Sequence, residues 1–107
     1  MSETVCTHLD QIAVHVLPPS VEGCEDCLKI GGLWLHLRIC LVCGHVGCCD
    51  NSPNRHARAH SGTTSHPIIR SLESGEDWNW CFVDEVAFLV DGIRGETHIP
   101  PSPLLQR

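Results

Sequence analysis

Cysteine and histidine recur in this chain in short, regular pairs, and that arrangement constrains its fold more than any apolar pattern. Cys6-Thr7-His8 comes first, Cys24-x-x-Cys27 and Cys40-x-x-Cys43 follow, and Cys48 comes next. His56 and His60 lie four apart, His66 precedes a proline, and Cys81 stands three before Asp84. A structural zinc ion takes four thiolate, imidazole or carboxylate ligands in a tetrahedron. These twelve residues are enough for three closed sites, so three Zn²⁺ ions are expected.

The rest of the composition fits this reading. A chain of 107 residues makes one small domain with a modest core, in which metals can supply much of the stability. Aromatic residues make up only 5%, and tyrosine is absent. Eight cysteines could form disulfides, but histidines interleave with them and Cys-x-x-Cys suits a zinc knuckle. The first twenty residues carry no long apolar run ahead of a small-residue cleavage site, so no leader is expected. Reduced cysteines and no leader make a cytoplasmic location the expectation. No apolar run approaches the ~18 residues of a membrane span. The net charge of −6 disfavours nucleic acid, and Arg55 and Arg58 are too few for a groove.

The apolar pattern predicts an α+β domain, a short antiparallel sheet with one helix. Ile12, Val14 and Val16 alternate as in a short strand. Residues 33–39 alternate strictly, with Leu33, Leu35, Leu37 and Ile39 on the core face and Trp34, His36 and Arg38 opposite. Ser52-Pro53 predicts a helix over about 53–60, with Ser52 as N-cap. Residues 68–72 read as a strand, and 78–90 as a strand broken near Asp84. Residues 1–91 form the domain, and 92–107, rich in proline, read as a flexible C-terminal tail.

The ligand order, with the Trp-x-x-Leu strand and the His-Pro pair, resembles the UBP-type zinc finger from Cys6 to about Val90. The form Trp-Asn-Trp-Cys-Phe-Val-Asp-Glu-Val is similar to stand-alone bacterial members. The resemblance implies one site of Cys24, Cys27, Cys48 and His56, and a second of Cys40, Cys43, His60 and His66. A third would hold Cys6, His8, Cys81 and a fourth ligand. Where many members carry another Cys-x-x-Cys, this chain has Cys81-Phe82-Val83-Asp84, so Asp84 is the candidate. With every position filled, no site keeps an open place for catalytic water, and the protein is expected not to be an enzyme.

Function then falls to the surface between the sites. The candidate ligand-binding residues are Trp34, His36, Arg38, Asp50 and Phe82. In ubiquitin-binding members of the family, a tryptophan matching Trp34 flanks a pocket for the C-terminal Gly-Gly of ubiquitin. An arginine just after the cysteine matching Cys48 holds its carboxylate. Here that stretch is Cys48-Cys49-Asp50, and an aspartate repels a carboxylate. The expectation is a protein- or peptide-binding module with little affinity for the ubiquitin tail, and Asp50 suggests a cationic partner. The alternatives are a nucleic-acid-binding zinc protein, or a thiol-redox, zinc-responsive protein using the spare thiol of Cys49.

Overall fold

The computed structural model describes residues 6–105. A single 3-10 turn, Leu9–Gln11, follows the first ligand pair. The helices are α1, Glu25–Ile30, and α2, His56–Thr64. The strands are β1, Leu37–Cys40; β2, Val46–Cys48; β3, Ile68–Ser71; β4, Asn79–Cys81; and β5, Val86–Phe88. They form one antiparallel sheet in the order β2-β1-β3-β4-β5. The core lies on the face carrying Leu37, Ile39 and Ile68, joined by Leu41 and Leu72 and padded by Ile12, Val14, Val86 and Phe88.

Local chemistry explains where the elements differ from the sequence pattern. Ser52 does not cap α2. Its buried hydroxyl accepts the Leu35 N–H at 2.8 Å, and the helix starts later, after Arg55 in left-handed backbone at φ 48°. α2 also runs through Gly62 to Thr64, where Thr63 and Thr64 hydroxyls bond back to carbonyls of Ala59 and His60. The knuckle Cys24–Cys27 is itself the first turn of α1. The Cys24 side chain caps it by accepting the Cys27 N–H, and Gly31 ends it in left-handed backbone. Residues 12–16 make no sheet strand; the amides of Ala13 and Val14 both donate to the Leu41 carbonyl, at 2.8 and 2.9 Å.

The strand predicted over 33–39 begins only at Leu37, and Trp34 turns inward instead of out. It is 8% exposed and lies against Gly23, at which any Cβ would meet the indole ring at 2.4 Å. The segment 92–105 is docked rather than loose. Leu17 N–H donates to the Arg94 carbonyl, His98 N–H to the Pro19 carbonyl, and Ser102 Oγ to the Trp34 carbonyl. The tail is thus tied to the backbone of the tryptophan that the sequence pattern places on the surface.

β2 runs beneath α2 at very close range. A Cβ at Gly47 would sit 2.7 Å from the Ala57 nitrogen and 2.9 Å from its Cα. Both are backbone atoms, so only a shift of strand or helix could make room. Gly47→Ala should lower stability by about 1–3 kcal/mol. It would be read as a lower denaturant midpoint for the zinc-loaded protein; an unchanged midpoint would contradict the close packing.

Candidate metal centres and an adjoining aromatic pocket

The twelve ligand-type side chains gather in space as three groups of four, and within each group the donor atoms all lie within 4.8 Å of one another. The groups are Cys24, Cys27, Cys48 and His56; Cys40, Cys43, His60 and His66; and Cys6, His8, Cys81 and Asp84. Tetrahedral zinc with ligands at about 2.0–2.3 Å sets its donors roughly 3.3–3.8 Å apart.

In the first group the His56 Nδ1 is 3.3 Å from both Cys24 and Cys27 Sγ and 3.6 Å from Cys48 Sγ. In the second, His60 Nε2 is 3.3 Å from Cys43 Sγ and His66 Nδ1 is 3.5 Å from Cys40 Sγ. In the third, His8 Nδ1 lies 3.5 Å from Cys81 Sγ and 3.1 Å from Asp84 Oδ2. These spacings and this donor chemistry fit zinc. His56 and His60 sit one turn apart on α2 yet serve different groups, one through Nδ1 and the other through Nε2.

The knuckles direct backbone amides at the sulfurs. Cys24 Sγ accepts the Cys27 N–H, Cys48 Sγ the His56 N–H, and Cys81 Sγ the Asp84 N–H. Asp84 Oδ2 is oriented by the amide and hydroxyl of Thr7, at 2.7 and 3.0 Å. Thr7 stands between two ligands and holds the carboxylate in place. His45 bonds no sulfur. Its Nε2 pairs with Asp26 Oδ2 at 2.7 Å, and its ring stacks on His60 at 4.4 Å. It thereby ties α1 to the second group.

Beside the second face of the sheet lies a pocket of about 230 Å³. Ile69, Trp78, Trp80 and Phe82 make its apolar walls, with Arg38, Arg58 and Asp50 at its edge and Cys49 on its floor. Of the candidate surface residues, Arg38, Asp50 and Phe82 meet here; Trp34 and His36 do not. Trp78 and Trp80 were missed. The signal for them was the Trp-x-Trp alternation, which puts both tryptophans on one face; the structure buries Asn79 on the other, its amide donating to the Phe88 carbonyl.

One of the two guanidiniums at this pocket is paired with a carboxylate, and the other is held by neutral acceptors. Arg58 Nε reaches both oxygens of Asp50, at 3.1 and 3.0 Å, and its guanidinium lies 4.9 Å over Phe82. Arg38 donates to the Leu37 carbonyl at 3.0 Å and to Ser71 Oγ at 3.2 Å, and lies 4.6 Å over Trp78. Asp50 is thus not a bare carboxylate awaiting a cationic partner.

Comparison with known proteins agrees with this geometry. The family described as "Zn-finger in ubiquitin-hydrolases and other protein" is matched over residues 24–90. The mouse and human BRCA1-associated proteins are each 33% identical over 63 residues, which is 59% of this chain and 10% of theirs. The chain therefore spans about a tenth of the length of those curated relatives. The solution NMR structure of protein RPA1320 from Rhodopseudomonas palustris is 48% identical, with a TM-score of 0.72, covering 95% of this chain and 97% of that one.

Without metal, burial pushes the Cys24 thiol up to about 12 and the Cys6 thiol up to about 11, and raises Cys27 and Cys40 as well. These thiols are protonated at neutral pH, and zinc takes only the thiolate, so binding must expel protons. Apparent zinc affinity should therefore climb as pH rises toward those values and fall on acidification. Competition with a chromophoric chelator at pH 6 and pH 8, corrected for the chelator's own protonation, should show at least a tenfold gain at the higher pH. A flat profile would mean the sites are not built from thiolates.

Proposed function

Because the chain belongs to the family of zinc fingers found in ubiquitin hydrolases and other proteins, we propose that this zinc-binding module holds three ions and docks a peptide partner without catalysing a reaction. Three groups of four donors support the count. Asp84 completes the third group, which leaves no ligand position for catalytic water there. The module acts in the cytoplasm, where thiolates stay reduced.

The partner is seated in the aromatic pocket, and it is not the tail of ubiquitin. The observation that carries this reading is that both guanidiniums at the pocket are engaged: Arg58 by Asp50, Arg38 by Leu37 and Ser71. A terminal carboxylate would have to displace Asp50 to gain Arg58, and at Arg38 it would share the pocket with the charge of Asp50. With no tyrosine in the chain, no phenol lines the pocket either. Trp78, Trp80 and Phe82 instead suit an apolar side chain of a peptide, which needs desolvation and no ionic clamp. The net charge of −6 and the pairing of Arg58 with Asp50 weigh against nucleic acid.

Titration of the zinc-loaded chain with ubiquitin, or with an Arg-Leu-Arg-Gly-Gly peptide, should leave the indole NMR signals of Trp78 and Trp80 in place at micromolar ligand. Saturable shifts there would sink the reading. Asp50→Arg should create the missing clamp and raise affinity for that peptide at least tenfold. Metal content should read three zinc ions per chain, falling to two in Asp84→Ala; two in the parent protein would remove Asp84 from the ligand set.

A further inference from the structure

The sheet treats its two edges differently. β2 is wholly buried, runs beneath α2, and has its first amide, that of Val46, bonded by the Glu25 carboxylate at 2.8 Å. β5, at the other end, has no such cover. Among the described residues, no backbone hydrogen bond reaches Val86–Phe88 from outside the β4 ladder. The segment Val86-Ala87-Phe88-Leu89-Val90 contains no charge, proline or glycine, and Leu89 is 71% exposed. Natural sheets blunt such an edge with a very short strand, lysine, proline, a bulge or a covering element; β5 itself is only three residues long, but the uncharged apolar run continues past it to Val90. An edge left bare and apolar is a template for one more strand.

From this edge we infer that β5 takes up an extended segment of a partner protein, with an apolar, β-branched centre and a basic residue at each end. Charge decides the occupant. Glu85 and Asp91 bracket the apolar run and are both exposed. If two copies paired antiparallel through all five apolar residues, Glu85 would face Asp91 at each end. Like charges directly opposed destabilise a strand pair, and each copy already carries −6. A segment ending in lysine or arginine turns both contacts favourable.

The edge also continues the pocket. Trp80 of β4 pairs directly with Ala87 of β5, so their side chains share the sheet face on which the pocket opens. A strand added outside β5 would lay alternate side chains along that face, beside Ala87. The inference rests on the reading of the chain as an interaction module and adds the mode of docking and the chemistry of the partner.

The test uses the zinc-loaded chain and two blocked peptides, Lys-Val-Thr-Val-Thr-Val-Lys and the same sequence with glutamate at both ends. The basic peptide should shift the amides of residues 86–90, slow their hydrogen exchange, and bind roughly tenfold more tightly than the acidic one. Leu89→Lys places a charge on an exposed position and should weaken that binding roughly tenfold with zinc content unchanged. Equal affinity for the two peptides would overturn the inference. So would concentration-dependent dimerisation of the chain alone that Leu89→Lys abolishes, which would assign the edge to a second copy. Shifts confined to Trp78, Trp80 and Phe82 would overturn strand addition while supporting pocket docking; no shift at either place with any peptide would sink both readings.

Discussion

Everything else in the molecule depends on the way the first two ligand groups are interleaved. The β1–β2 hairpin gives Cys40 and Cys43 to one group and Cys48 to the other, and α2 gives His56 to one and His60 to the other. Hairpin and helix are therefore each pinned twice, by bonds directed in space rather than by area of contact. This is why β2 can run so close under α2 that Gly47 has no room for a Cβ. A domain whose largest fully buried side chains are leucines and isoleucines, with one asparagine among them, could not impose such proximity by hydrophobic burial alone.

The third group does a different job. It joins the first residues of the described chain to the β4–β5 hairpin, far away in sequence. Its carboxylate is held by Thr7 from one side and by its place two residues before β5 from the other. The docked C-terminal segment runs beside residues 15–21 and bonds the Trp34 carbonyl through Ser102. The proline-rich composition of that segment suits this role as well as it suits a free tail, because proline favours extended backbone that can lie along another chain.

The ligand set was legible in the sequence because metal chemistry restricts residue type and spacing more tightly than packing does. The secondary structure was less legible for a physical reason. Strands of three or four residues are too short for a period of two to separate them from irregular extended chain, as residues 33–36 illustrate. Ser52 carried a correct cap signature for a helix that begins four residues later, because its hydroxyl found a better use on Leu35. Trp34 misled because its indole lies against Gly23, eleven residues earlier, which a period of two does not reveal.

In the proposed reading, the pocket is where the family's scaffold and its ligand part company. Zinc fixes the positions of β1, β4 and α2, and therefore the positions of the residues that project between them, but it is indifferent to what those residues are. Asp50 on the loop after β2 and Arg58 on α2 face each other because the first group places Cys48 beside His56. A cation at position 50 would leave two guanidiniums side by side, a site needing an anion to neutralise it. The aspartate supplies that anion from within. One residue thus neutralises Arg58 from within, and on the proposed reading the aromatic walls of Trp78, Trp80 and Phe82 carry the recognition.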